Sequence, residues 1–359
     1  MGLLKEAGVR IPAIRRLYAS RNALLAERDG LREQCNALSA ERDALRVERD
    51  ALRSECDADA EVREVRADGR LVITHYPYHP TRRPIEQSAG GRRLIARLEA
   101  EEERYAATLE GIARHIPSLT SIPRTETDPE RPHWANAWMP PFDGAALYGL
   151  VAETSPRRYI EVGSGNSTLF VRQAIRDHRL PTEIVSIDPQ PRAEIDRVCD
   201  RIVRRPPEQV PGEFWSGVTA SDMLFIDSSH SSYQGSDVTV FFTEIMPGLK
   251  PGVLWGLHDI DLPWDYLDSW CETFCNEQYL LLAYLLGGAC GDEIVLPTLW
   301  ASRRPRLRRI MQALWERDDL LDGTFRGGSS FWLKRTANVD ATDASAADLV
   351  QNRPVDGFS

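Results

Sequence analysis

From residue 157 onward, apolar runs of one kind recur along the chain: RRYIEVG, EIVSID, DMLFID and GVLWGLHD, each closing on an acidic residue or glycine. Continuous apolar character over so few residues is what a strand buried on both faces requires. Between the runs lie TLFVRQAIRDH, RAEIDRVCDR and TVFFTEIMPGL, whose apolar residues follow helical spacing. Alternation of strand and helix forces a parallel sheet, because parallel neighbours must be joined by crossovers that cover its faces. The expected fold class is therefore α/β, a doubly wound, mostly parallel sheet. DEIVLPTLWAS and SSFWLKR predict two more strands, with a helix at RLRRIMQALWERDD between them. Ligands of such sheets bind beyond the carboxyl ends of the strands, so functional residues should gather there.

The first run, YIEV, leads straight into Gly163-Ser164-Gly165-Asn166-Ser167-Thr168 and then a helical pattern. Glycines let the backbone approach a ligand closely, and a helix N-terminus offers free N–H groups. The second run ends at Asp188, placed to accept hydrogen bonds from ribose hydroxyls. A nicotinamide dinucleotide fold uses the same logic, but its GxGxxG fingerprint needs a third glycine where this chain has Thr168. Glu161, inside the strand, suits a cationic ligand and repels a pyrophosphate. An NAD-dependent oxidoreductase is thus the weaker alternative. The stretch E-x-G-S-G-N-S-T, with Asp188-Pro189 after the second strand and FIDSSHS at a later one, resembles the class I S-adenosylmethionine-dependent methyltransferases. The likeness is to their Methyltransf_24-type branch and runs over roughly residues 131–336. It implies a Rossmann-like fold with S-adenosylmethionine as cofactor. Gly163, Ser164 and Gly165 would line it, Glu161 would fix its loop or amino-acid end, Asp188 would hold its ribose, and Asp227 would end a strand beside the sulfonium methyl group.

DMLFIDSSHSSY presents Asp227, His230 and several serines at one strand end, and VLWGLHDI ends at His258 and Asp259. Neighbouring strand ends would bring these four side chains together. Methyl transfer to a hydroxyl needs alignment, removal of the acceptor proton and exclusion of water. Histidine titrates near neutrality, so His230 is the first candidate base and His258 the second. Asp227 and Asp259 are candidate ligands for a divalent metal, Mg or Mn, that would lower the acceptor's pKa. Macrolide sugar O-methyltransferases and cephalosporin-hydroxylase-like proteins are similar in placing acidic metal ligands at these two ends. This chain departs from them in offering His258 where they have an acid, and a histidine with two aspartates also suits manganese, iron or zinc. Without metal, His258 and Asp259 would be a base and its orienting group. A Ser/His/Asp hydrolase would need G-x-S-x-G, which does not occur. The serines read as turn and cap residues, Ser228 and Ser229 remaining open as substrate contacts. Trp255, Trp264, Tyr266 and Trp270 either wall an acceptor pocket or pack as core, while Trp134, Asn136 and Trp138 are expected to form a lid. The expected acceptor is a small-molecule or saccharide hydroxyl.

Residues 23–57 repeat every seven: ALLAERD, GLREQCN, ALSAERD, ALRVERD, ALRSECD. Leu24, Leu31, Leu38, Leu45 and Leu52 fall on one stripe, the seam of a coiled coil. The other seam position holds Arg28, Cys35, Arg42, Arg49 and Cys56, which makes such a coil marginal. Residues 1–58 are therefore expected to form a coiled-coil helix that joins copies of the chain, or else a solitary charged helix. A non-catalytic assembly protein with a cofactor-like domain is the third functional alternative. Residues 59–130 read as an accessory segment and linker, with a short strand at GRLVITHYPYHP and a helix over 92–115; 131–336 form the α/β domain, and 337–359 a disordered tail. MPPFDG predicts a helix start capped by Asp143. A net charge of −10 argues against nucleic acid as partner, the run from Arg303 to Arg309 being either a solvated helix face or a site for an anionic partner. The N-terminus lacks a secretory pattern and no apolar window is long enough to span a membrane, so a cytoplasmic location is expected. The cysteines form no CxxC pair and are expected to be reduced and mostly buried.

Overall fold

The computed structural model describes residues 12–58, 76–191 and 195–336. Contacts divide the chain into two compact units, the first ending at His79 and the second beginning at Pro80. In the first unit a single helix, α1 (Pro12–Ala58), runs through the whole heptad region. At about 1.5 Å per residue its 47 residues span roughly 70 Å. Leu24, Leu31, Leu38 and Leu45 all stand exposed on it. The expected tail lies outside the described residues, as does most of the expected strand at GRLVITHYPYHP, whose last residues, 76–80, form none.

In the second unit, residues 80–130 supply helices α2 (Ala89–Ala100) and α3 (Glu102–Ala113). Leu94, Leu98, Leu109 and Ile112 on their inner faces join the same hydrophobic core as the sheet. Helix α4 (Pro141–Thr154) follows, then β1 (Arg158–Val162), α5 (Asn166–His178), β2 (Glu183–Ile187), β3 (Arg201–Val203) and β4 (Asp222–Ile226). A short turn of helix, α6 (Asp237–Val240), leads to β5 (Leu254–Leu257), α7 (Glu277–Leu286), β6 (Glu293–Pro297), α8 (Thr298–Arg303), α9 (Pro305–Ile310) and β7 (Phe331–Lys334). The strands form one sheet in the order β3-β2-β1-β4-β5-β7-β6. The first five pair in parallel, and β7 runs antiparallel to both β5 and β6. The all-parallel dinucleotide sheet places its sixth strand directly beside the fifth, so the inserted antiparallel β7 sets this sheet apart. Every residue of β1 and β4 is buried, as their unbroken apolar runs require. No helix among the described residues is long and apolar enough to cross a membrane.

Several local expectations are corrected by packing. The RAEIDRVCDR pattern yields one 3₁₀ turn, Asp196–Val198, its residues 192–194 being outside the described ones. The arginine run is a solvated face, with Arg303, Arg306 and Arg309 exposed, and part of it is paired: Arg304 meets Glu102 at 3.2 Å, Arg306 meets Glu103, and the Arg303 guanidinium lies 3.9 Å over the Trp264 ring. The cysteines are less buried than expected, Cys35 and Cys290 being exposed and Cys199, Cys271 and Cys275 partly so; all five are free thiols.

Candidate active site

Strand order reverses direction between β1 and β4, and it is at such a switch point that α/β sheets open a crevice. The loops leaving these two strands touch. Asp227 N–H donates to Val162 C=O at 2.8 Å, and a Cβ on Gly163 would fall 1.6 Å from the Asp227 carbonyl oxygen. Gly163 also has φ +79°, so both contact and conformation demand glycine there. Gly165 is different: its backbone is extended, and a Cβ would meet nothing within 4 Å. The open space beside it leaves room for a ligand to lie on the main chain.

Glu161 works beneath this loop. Fully buried in β1, it accepts hydrogen bonds from Tyr159 at 2.7 Å and from Thr168, whose hydroxyl in turn accepts from Gly165 N–H at 3.1 Å. Burial raises its pKa to about 7, against the opposing hydrogen bonds of Ser167, Thr168 and Tyr159. Thr168, which breaks the dinucleotide fingerprint, is thus the link between a buried acid and the glycine loop. Asp188 at the end of β2 is held by backbone amides, Ser164 N–H at 2.9 Å and Gln190 N–H at 2.7 Å. Ser164 is buried, its hydroxyl 2.8 Å from that of Ser186. Its main chain therefore faces Asp188 while its side chain serves the sheet.

At the neighbouring strand ends the predicted convergence occurs. One donor atom each from Asp227, His230 and Asp259 lies within 4.8 Å of the other two. His230 Nε2 stands 3.5 Å from Asp227 and 3.4 Å from Asp259, while its Nδ1 is 3.0 Å from Glu277. His230 and Asp259 both adopt left-handed backbone, φ +59° and +53°, a conformation unusual for residues with side chains. The His230 carbonyl accepts from Asn276 N–H and Glu277 N–H, so the start of α7 holds this turn in place. Glu277, fully buried, thereby fixes the imidazole with Nε2 directed at the two aspartates.

His258 lies under the pair. Only 1% exposed, it has Nδ1 at 3.5 Å from both Asp227 and Asp259, and Nε2 at 3.5 Å from Asp143. A ring enclosed in this way has no free edge for an acceptor, which corrects the expectation that it could serve as a base. Asp143 is corrected too. The helix is capped at Pro140, and the Asp143 carboxylate is buried in the first turn. There it accepts from Thr298 at 2.6 Å, Ser329 N–H at 2.7 Å and Ser330 N–H at 2.9 Å. It ties α4 to the start of α8 and the loop before β7.

Burial disfavours charge on both histidines, but the surrounding carboxylates outweigh it and hold each pKa well above the usual imidazole value. Burial likewise opposes ionisation of Asp227, yet His258 and His230 hold it well below the usual carboxylate range. Without a cation the cluster is therefore a set of ion pairs that favours the protonated imidazole. That differs from the freely titrating base expected from the sequence.

Other polar residues near this strand end brace the turn, whereas the buried Ser228 hydroxyl has no hydrogen-bond partner among the described residues. Ser229 N–H donates to Asp237, Ser232 N–H to Asn276, and Ser236 caps α6. Among the aromatics, Trp255 is core, donating to Asp292 at 3.3 Å, and Trp264 stacks on Trp300. Tyr266 stacks on Trp270, whose ring centroid lies 5.9 Å from that of His230. Trp134 forms no lid: it is fully buried against Phe170, and Asn136 braces the turn before α4. Glu277 and Asn276 went unseen in the sequence, because nothing in their spacing ties them to a histidine 47 positions earlier.

Residues 160–260, from within β1 to just past β5, match the family model described as a methyltransferase domain. The α/β unit carries a methyltransferase domain. Its class takes the methyl group from S-adenosylmethionine, and the oxidoreductase alternative gives way. No curated protein matches the chain. Similar solved structures include the SAH-bound Podospora anserina methyltransferase PaMTH1, 13% identical, covering 74% of this chain and 100% of its own, with a TM-score of 0.33. The O-methyltransferase from Bacillus cereus in complex with SAH is 14% identical, covering 64% of this chain and 91% of its own, with a TM-score of 0.34. A putative O-methyltransferase from Klebsiella pneumoniae is 16% identical, covering 70% and 98%, with a TM-score of 0.33. None of these likenesses is close enough to carry a substrate or a residue's role to this methyltransferase domain.

Proposed function

We propose that the chain methylates a hydroxyl group of a small-molecule or saccharide acceptor, with a divalent cation held at the ends of β4 and β5. The observation that carries this reading is the convergence of Asp227, His230 and Asp259 beside the Gly163 loop. Two carboxylates and one imidazole suit manganese or iron as well as magnesium. The histidine fits that role because Glu277 occupies Nδ1 and leaves Nε2 toward the aspartates, the carboxylate support usual for a metal-binding imidazole. A cation bound there would lower the pKa of the acceptor hydroxyl enough for its proton to pass to solvent, and the oxygen would then take the methyl group as S-adenosylhomocysteine leaves with the C–S bonding pair. His258, braced by Asp143, holds both carboxylates from below. Trp270 lies against the cluster on the side of His230. Gly163, Ser164 and Gly165 form the floor for S-adenosylmethionine, Glu161 stiffens that floor, and Asp188 takes the ribose. The donor supplies an electrophilic methyl group; the chain aligns it with the acceptor oxygen.

Making His230 a ligand changes what its removal should do. A base could be lost with the metal still bound, whereas a ligand cannot. Mn²⁺ titrated calorimetrically into the wild type should bind at one site, and Asp227→Asn, Asp259→Asn and His230→Ala should each weaken it at least tenfold. Wild type without affinity for Mn²⁺ or Mg²⁺ would sink the metal reading. His230→Ala binding Mn²⁺ normally would return His230 to the role of base. Incubation with labelled S-adenosylmethionine and fractionated host extract, followed by mass spectrometry, tests the acceptor class. Label found only on nitrogen would overturn the hydroxyl reading.

A further inference from the structure

The leucine face of α1 is uncovered: Leu17, Leu24, Leu31, Leu38 and Leu45 are each 58–70% exposed. A helix of 47 residues with such a stripe needs a partner, and the charges beside the stripe specify which. With the leucines at position d of the heptad, position g holds Glu27, Gln34, Glu41 and Glu48, and position e holds Leu25, Arg32, Ser39 and Arg46.

In a parallel two-stranded coil each g residue faces the e residue five positions later on the other helix, and these pairs set orientation. Aligned with itself, α1 places Glu27 opposite Arg32 and Glu41 opposite Arg46 of the other copy, with neutral Gln34 opposite Ser39. An antiparallel pair sets g against g and e against e; centred on the helix, it brings Glu27 to Glu41 and leaves Arg32 beside Ser39 and Arg46 beside Leu25, with no glutamate for either arginine. A slip of one heptad breaks both named ion pairs on each side, forms Glu48–Arg46 on only one side among these positions, and puts Cys35 opposite Arg42. We infer that α1 pairs with α1 of a second copy of this chain, parallel and in register.

Position a is the apparent obstacle, since arginines there would face their own copies. The side chains resolve it locally. Arg28, Arg42 and Arg49 each bind the aspartate that follows, Asp29 at 2.6 Å, Asp43 at 2.8 Å and Asp50 at 2.6 Å. Each head group thus carries its own counter-ion, and the aliphatic stems are left to cover the leucines. Such a coil gains its specificity from the flanks and little stability from its centre. Because the pairing is parallel, both chains leave it at the same end, and two methyltransferase domains are tethered as neighbours.

The test uses the full chain. Analytical ultracentrifugation should give twice the chain mass. Glu27→Lys with Glu41→Lys should weaken self-association at least tenfold, as should Arg32→Glu with Arg46→Glu, whereas the two variant proteins mixed one to one should pair again. All nine tryptophans lie between residues 134 and 332, so unchanged tryptophan-monitored melting shows that the α/β unit is intact in each variant. Orientation needs a reporter away from Cys35, which lies midway along α1 and would meet its copy in either direction. With Cys35 and Cys56 changed to Ser, Arg49→Cys should cross-link on mild oxidation. In an antiparallel pair centred on the helix the two positions would stand about 40 Å apart. A wild type that stays monomeric at high micromolar concentration overturns the inference. So does a dimer indifferent to both charge reversals, and a dimer in which position 49 does not cross-link overturns the parallel alignment.

Discussion

Glu161→Gln should change the pH dependence of stability in a calculable way. In the folded chain burial lifts the Glu161 pKa from the ordinary 4.5 to about 7. Between those values the folded state keeps a proton that the unfolded state has released, so stability is fully present below pH 4.5 and falls as pH rises through 7. A displacement of roughly 2.5 units at about 1.4 kcal/mol per unit makes the loss about 3 kcal/mol. Glutamine has the same shape, still accepts one hydrogen bond from Tyr159 or Thr168, and does not titrate. Relative to wild type the variant should therefore gain most of that 3 kcal/mol on going from pH 5 to pH 8.5. Taking the difference between the two proteins removes the contributions of His230 and His258, whose raised pKa values also cost stability as pH rises. The assay is urea unfolding followed by tryptophan fluorescence, which reports the α/β unit alone. Parallel pH profiles for the two proteins would refute the buried-acid account of the loop.

Gly165→Ala should leave the stability of the ligand-free protein within about 0.5 kcal/mol, the range of a substitution that meets nothing, yet weaken S-adenosylhomocysteine binding. Gly163→Ala should instead destabilise the fold by several kcal/mol, since its Cβ would overlap the Asp227 carbonyl; differential scanning calorimetry separates the two. Asp188→Ala should lower affinity for S-adenosylhomocysteine at least tenfold by calorimetry, a carboxylate hydrogen bond being worth roughly 1.5–3 kcal/mol. Glu277→Gln should lower Mn²⁺ affinity roughly 10–100-fold while leaving S-adenosylhomocysteine binding unchanged, the usual cost of losing a carboxylate behind a ligating histidine. Equal Mn²⁺ affinity in mutant and wild type would remove Glu277 from the metal argument.

The four buried strand runs, the glycine loop, Asp188 and the two strand ends at Asp227 and His258-Asp259 were all legible in order along the chain. Each is a local signal: an apolar run fixes a buried strand, and a parallel sheet gathers whatever ends such strands. The long helix was legible for the same reason, because a seven-residue repeat is written in consecutive residues. The sequence also determined that Asp227, His230 and Asp259 should meet.

What each of them does was decided by groups distant in the chain. Glu277 reaches His230 from 47 positions away, and Asp143 reaches Ser329 from 186. Asp143 looked like a cap because an acid after two prolines is a helix-start signal; its burial depends on α8 and the loop before β7 arriving beside it. His258 looked available as a base and Trp134 as part of a lid, and both turned out to be enclosed, since exposure is a property of the packed layers and not of the residue. The histidines, neutral-range bases on paper, have their pKa values raised because carboxylates from separate elements surround them in a buried site. Sequence determines which residues a strand end presents; the elements packed around that end determine their charge, orientation and reach.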